Sequence, residues 1–163
     1  MEDSGSVIAF WVLAVVTIAS AVLVAAVRNL IHSLVFLIIS FLGVAGFFVL
    51  LSADFLAVAQ VLIYAGAISV LLIFAIMLTP QAERDNAETA YRGVALLVSV
   101  FFLATIIAVS LATEWSSGGQ GFDETASVIG EALLSKYVLP FEIASVLLLV
   151  AMLGAIILVR EEE

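Results

Sequence analysis

Cysteine is absent from these 163 residues, and histidine occurs once, as His32. The first absence removes disulfides, thiolate-held iron–sulfur clusters and nucleophilic thiols. The second excludes a haem held by two histidines of this chain. Lysine and arginine number five against fourteen carboxylates, for a net charge of −9. Nucleic acid is a poor partner for such a chain. Neither G-x-G-x-x-G nor G-x-x-x-x-G-K-[ST] occurs, so dinucleotides and nucleoside triphosphates lack their usual cradle.

Apolar sequence is what abounds. Hydrophobic residues make up 65% of the chain, against roughly 45–50% in soluble domains, and the mean hydropathy is +1.33. A soluble fold of this size has too little interior to hide that much apolar surface. Five runs, over 6–27, 32–52, 55–79, 91–112 and 138–159, are long enough to cross ~30 Å of hydrocarbon as helices. The expected fold is therefore an all-α membrane protein, one membrane domain over 1–163 with five transmembrane helices. The third run is the longest and is expected to tilt or kink. The first run is read as a span and not a cleaved signal. Met1-Glu2-Asp3 lacks a basic leader, and apolar sequence continues past Ala19-Ser20-Ala21 to Val27.

With five spans the termini lie on opposite sides. Arg28, Arg84, Arg92 and Arg160 fall on the C-terminal side and Lys136 on the other. Positive-inside then puts the N-terminus outside and the C-terminus in the cytoplasm. Gln81 to Ala90 reads as a polar cytoplasmic loop. The linker from Thr113 to Tyr137 opens with a Gly/Ser-rich turn over Ser116–Gly121 and then becomes periodic. Ala126, Ile129, Leu133 and Tyr137 share one helical face; Glu124, Ser127, Glu131 and Ser135 share another. This predicts a short amphipathic helix over 123–137, lying on the outer surface or capping the neighbouring spans. Asp54, in the tight turn before the third run, is expected to cap that helix.

Within the third run, VLIYAGAISVLLIFAIML, a phenol, a glycine and a hydroxyl sit near mid-membrane. Gln60 and Tyr64 are i,i+4, and Ala67 and Leu71 continue the stripe; Ala59, Gly66 and Ser69 form a second. Polar atoms facing lipid are costly, so the first stripe is expected to face protein or water. Small residues on the second admit another helix. Gly66 weakens a helix by about 1 kcal/mol relative to alanine, and such positions accept kinks and single-turn π-bulges. One inserted residue rotates all that follows by roughly 100°. A bulge that forms and dissolves near Tyr64–Gly66 would swing the half from Ser69 to Met77. The simpler reading is that Gly66 permits close packing.

Val61-Leu62-Ile63-Tyr64-Ala65-Gly66-Ala67-Ile68-Ser69-Val70-Leu71, through Phe74 and Met77, resembles the third-helix signature of subunit J of proton-pumping NADH:quinone oxidoreductase, respiratory complex I. Asn29-Leu30-Ile31-His32-Ser33 resembles that family's entry to its second helix, and Tyr137 to Met152 its last helix. Leu30 stands where the family often has proline, and Ser69 where many relatives are apolar. The resemblance implies a multi-pass subunit of a prokaryotic cell membrane that binds no cofactor itself. FMN, iron–sulfur clusters and quinone then belong to partner subunits. Expected neighbours are the membrane subunit with the quinone site, called H in that family, the small subunits A and K, the antiporter-like subunits, and lipid. The resemblance also implies that the third helix can switch between π-bulged and regular forms, with Tyr64, Gly66, Ser69 and Gln60 at the switch, coupling quinone reduction to proton translocation.

Two titratable residues invite a role in proton movement. Glu142 is the one carboxylate well inside a span. It follows Pro140 by two residues, and this suits a first-turn position beside the helix dipole. His32 is the only imidazole, but no partner ligand is near it in sequence, so interfacial hydrogen bonding is the first reading. Ala151 and Ala155 form a small-xxx-small pair. Besides the coupling subunit, two other classes stand: a structural or assembly subunit of the same or a related complex, and an accessory subunit of a cation/proton antiporter. A stand-alone transporter is disfavoured, because five spans give no inverted-repeat pair and intramembrane charge is nearly missing.

Overall fold

A computed structural model describes residues 4–79, 92–114 and 125–159. Five helices in it are long and apolar enough to cross a membrane. The first is α1 (Ser4–Ala26) and the second α2 (Leu30–Leu50). The third span, Asp54–Leu78, is built of three pieces: α3 (Asp54–Ala59), a π-helix (Gln60–Ile68) and α4 (Ser69–Leu78). The fourth is α5 (Arg92–Ala112) and the fifth α7 (Val138–Val159), preceded by the short α6 (Thr125–Leu134). The predicted loop at 81–90 and the Gly/Ser turn at 116–121 lie outside the described residues, as do Arg84 and Arg160.

The second helix starts two residues before the sequence expectation, and the reason is local. Asn29 is its N-cap: the side-chain oxygen accepts the N–H groups of Ile31 at 3.0 Å and His32 at 3.2 Å. Two of the orphan donors of the first turn are thereby satisfied. Leu30, the departure from the family's proline, is the first helical residue.

α1 and α2 form an antiparallel hairpin packed along its length. Gly43 lies against Thr17 and Gly46 against Leu13; a Cβ at either position would collide with the facing side chain. Further up, Phe10 meets Phe47 edge-on at 5.6 Å. At the turn, the Ser33 hydroxyl donates to the Val24 carbonyl at 2.5 Å. Ser20, Leu34 and Gly43 are buried. Small residues let the backbones approach closely, and this is where packing energy between membrane helices comes from.

The turn into the third span is a Schellman motif. Ala53 N–H bonds the Phe48 carbonyl at 2.8 Å and Ser52 N–H the Val49 carbonyl at 3.0 Å. Ser52 takes the left-handed position with φ 56°, where glycine is usual. The helix that follows begins at Asp54, with Ala53 as its N-cap. Asp54 is therefore a first-turn residue that complements the helix dipole, one place past the cap expected for it.

In a second compact unit, 122–163, α6 packs on the start of α7. Ile129 and Leu133 of the predicted apolar face are half-buried, while Ala126 and Tyr137 are exposed. The helix is shorter than expected at its C-terminal end, because Tyr137 N–H turns back to the Ala132 carbonyl at 2.9 Å and closes it.

Candidate functional site

The Tyr-Ala-Gly block lies within nine consecutive residues of π-helix, Gln60–Ile68. π-Helix mostly occurs as single-turn bulges and recurs at functional sites, so a run of this length in the third span marks the candidate site.

The hydroxyl bonds of the chain show how unusual the register is. Ser and Thr side chains in helices ordinarily hydrogen-bond a carbonyl three or four residues back. Thr79, Ser99, Thr105, Thr113 and Ser135 each reach back four residues, and Ser20 and Ser145 reach back three. Ser69 reaches back five. Its Oγ donates to the Tyr64 carbonyl at 2.8 Å, and its backbone N–H points at the same carbonyl. Ser69 is 1% exposed, less than any other residue of the span.

Gly66 belongs to the same register. A Cβ there would lie 3.3 Å from the carbonyl oxygen of Val61, five residues back. Glycine thus accommodates the π form where alanine would press on it. The neighbours of Tyr64 and Gln60 are on α2: the Tyr64 ring meets Phe41 edge-on at 5.5 Å, and Gln60 Nε2 donates weakly to the Phe41 carbonyl at 3.5 Å. Tyr64 remains 46% exposed, and among the described residues its hydroxyl has no hydrogen-bond partner. In a hydrocarbon environment that hydroxyl requires water or another chain.

The two predicted stripes differ in how far this chain itself covers them. Ser69 is buried and Gly66 and Ala59 are half-buried, as the small-residue stripe requires. On the other stripe Gln60 meets α2, but Ala67 and Leu71 are exposed. The stripes are drawn on α-helical periodicity, and the π register shifts the residues beyond it around the axis.

The other two singled-out residues are His32 and Glu142. His32 lies about 13 Å along α2 from Phe41 at the usual rise of ~1.5 Å per residue. It is exposed, and its backbone N–H is held by Asn29. Glu142 lies in the other compact unit. Its sequence reading needs correction: α7 begins at Val138, so Pro140 is its third residue and Glu142 its fifth. Proline is still tolerated there because the N–H of the first turn has no partner to lose. Glu142 is past that turn, and no acidic residue lies in it, so the capping role drops away. Among the described residues, no three His, Asp or Glu side chains gather as a metal site.

Known proteins share this chain's sequence over nearly its full length. The family model described as NADH-ubiquinone/plastoquinone oxidoreductase chain 6 matches residues 20–158, which include the whole third span. The NAD(P)H-quinone oxidoreductase chain 6 of Nostoc sp. is 41% identical, with 99% of this chain and 83% of the relative covered. Its counterpart in Synechocystis sp. is 42% identical over 95% of this chain and 81% of the relative. The F(420)H(2) dehydrogenase subunit J of Methanosarcina mazei is 35% identical, covering 94% and 90%.

Proposed function

The chain belongs to the NADH-ubiquinone/plastoquinone oxidoreductase chain 6 family, and we infer that it is a membrane subunit of a quinone-reducing complex in which its third span couples quinone reduction to proton translocation. The observation that carries this reading is the π-helix over Gln60–Ile68. A π segment has one residue more in its turn than an α-helix needs, so its return to α geometry rotates α4 by roughly 100°. Rotation changes which side chains line the space beside the span and breaks or completes a path for water. The exposed Tyr64 hydroxyl is a group that such a path, or a neighbouring subunit, would satisfy.

With no cysteine the chain holds no thiolate-ligated iron–sulfur cluster, and in this reading FMN, iron–sulfur clusters and quinone belong to its partners. Those partners are the quinone-site subunit, the two small membrane subunits and the antiporter-like subunits of a prokaryotic membrane complex. The electron donor is set elsewhere, because relatives named for NAD(P)H and for F(420)H(2) both match this chain over most of its length, at 41% and 35% identity.

The test is a pair of substitutions in the assembled complex. Tyr64→Phe and Gly66→Leu should preserve electron transfer to an artificial acceptor while proton pumping, or turnover with the native quinone, falls. If coupled turnover is untouched by both, the span serves only as scaffold.

A further inference from the structure

We propose that the Ser69 hydroxyl is a register-specific latch that holds the third span in its π form. The inference rests on the interconversion proposed above and names the atom that sets its balance.

Three observations carry it. The bond from Ser69 Oγ to the Tyr64 carbonyl spans five residues at 2.8 Å. That is the spacing of the π register, in which backbone bonds run from i to i+5. The carbonyl it reaches is the one the Ser69 N–H also approaches, so the hydroxyl reinforces the last π turn where α4 begins. The side chain is 1% exposed, so water does not compete for the hydroxyl from within this fold. In the α register that carbonyl moves out of reach and the hydroxyl falls back on the i−4 carbonyl, as Ser99 and Thr105 do. Such back-bonds slightly destabilise and bend α-helix. The hydroxyl therefore favours π over α on both sides of the equilibrium.

Because the hydroxyl is bonded in either register, the shift comes from the difference between the two bonds, a fraction of one net hydrogen bond, or roughly two- to threefold in the equilibrium. The experiment is single-particle imaging of the assembled complex, with particles sorted by the register of the third span. Ser69→Ala should lower the π:α odds by about that factor, and Ser69→Thr, which keeps the hydroxyl, should restore them. Should Ser69→Ala fail to assemble, the matched pair Ser69→Thr and Ser69→Val, nearly equal in volume, makes the same comparison. Unchanged odds between hydroxyl-bearing and hydroxyl-free variants, including a single register in all of them, overturn the latch. Coupled turnover of the same variants separates the two claims: odds that shift while turnover stays constant support the latch and sink the coupling role.

Discussion

The α1–α2 hairpin and the third span are both built of apolar helix with small residues at their contacts, yet they are put together in opposite ways. In the hairpin, Gly43 and Gly46 bring the backbones against Thr17 and Leu13 in space that admits not even a Cβ. Asn29 caps the turn and Ser33 ties it to Val24. In the third span the small residue serves the helix itself: the pressure on Gly66 comes from its own Val61 carbonyl. The hairpin's glycines fix one arrangement. The span's glycine and serine both serve the π register of their own helix.

That contrast can be broken at several points. The largest effect is expected at Gly43. Replacing it with leucine drives a side chain into Thr17, and overpacking of this kind costs about 1–3 kcal/mol or more. The thermal transition of the purified complex should fall, or the subunit should fail to assemble. Gly66→Ala is the matching change in the third span. It adds a Cβ at 3.3 Å from the Val61 carbonyl and gains about 1 kcal/mol of α propensity. The thermal transition should barely move while the fraction of particles in the π register falls about fivefold in odds. A large loss of stability at Gly66, or none at Gly43, would erase the distinction.

Gln60→Leu should matter less. Its bond to the Phe41 carbonyl is long at 3.5 Å, so its loss should cost about 0.5 kcal/mol or less, detected as a slight change in the thermal transition. Ser52→Gly is the smallest and has the opposite sign. Serine holds φ 56° there, and glycine at that Schellman position should stabilise the turn by roughly 0.5–1 kcal/mol. A destabilised turn would show that the serine side chain contributes more than its backbone strain costs.

The five spans are legible in the sequence because hydrocarbon leaves few options: long apolar runs must be helices that satisfy their own backbone. Helix ends are less legible. The N-cap at Asn29 is available as a signal and accounts for the two-residue offset in α2. The register of the third span is readable only as an opportunity, through Gly66 beside Tyr64. Nothing in residue order distinguishes one bulged turn from nine residues of π-helix, because that choice depends on packing against α2 and on where one buried hydroxyl finds its carbonyl. Glu142 is misplaced by its sequence pattern for a related reason. Pro140 suits the opening of a helix, but Phe141 N–H bonds the Tyr137 carbonyl at 3.1 Å, and the helix starts earlier.

The proposed coupling role requires that the third span have two registers and that catalysis move it between them. Imaging the assembled complex at rest and during turnover measures this directly. Two populations are expected, one with Gln60–Ile68 as π-helix and one with that segment α-helical and the side chains of Val70 to Met77 rotated by roughly 100°, in proportions that change with turnover. A single register in both conditions, resolved clearly through Ser69, would contradict it.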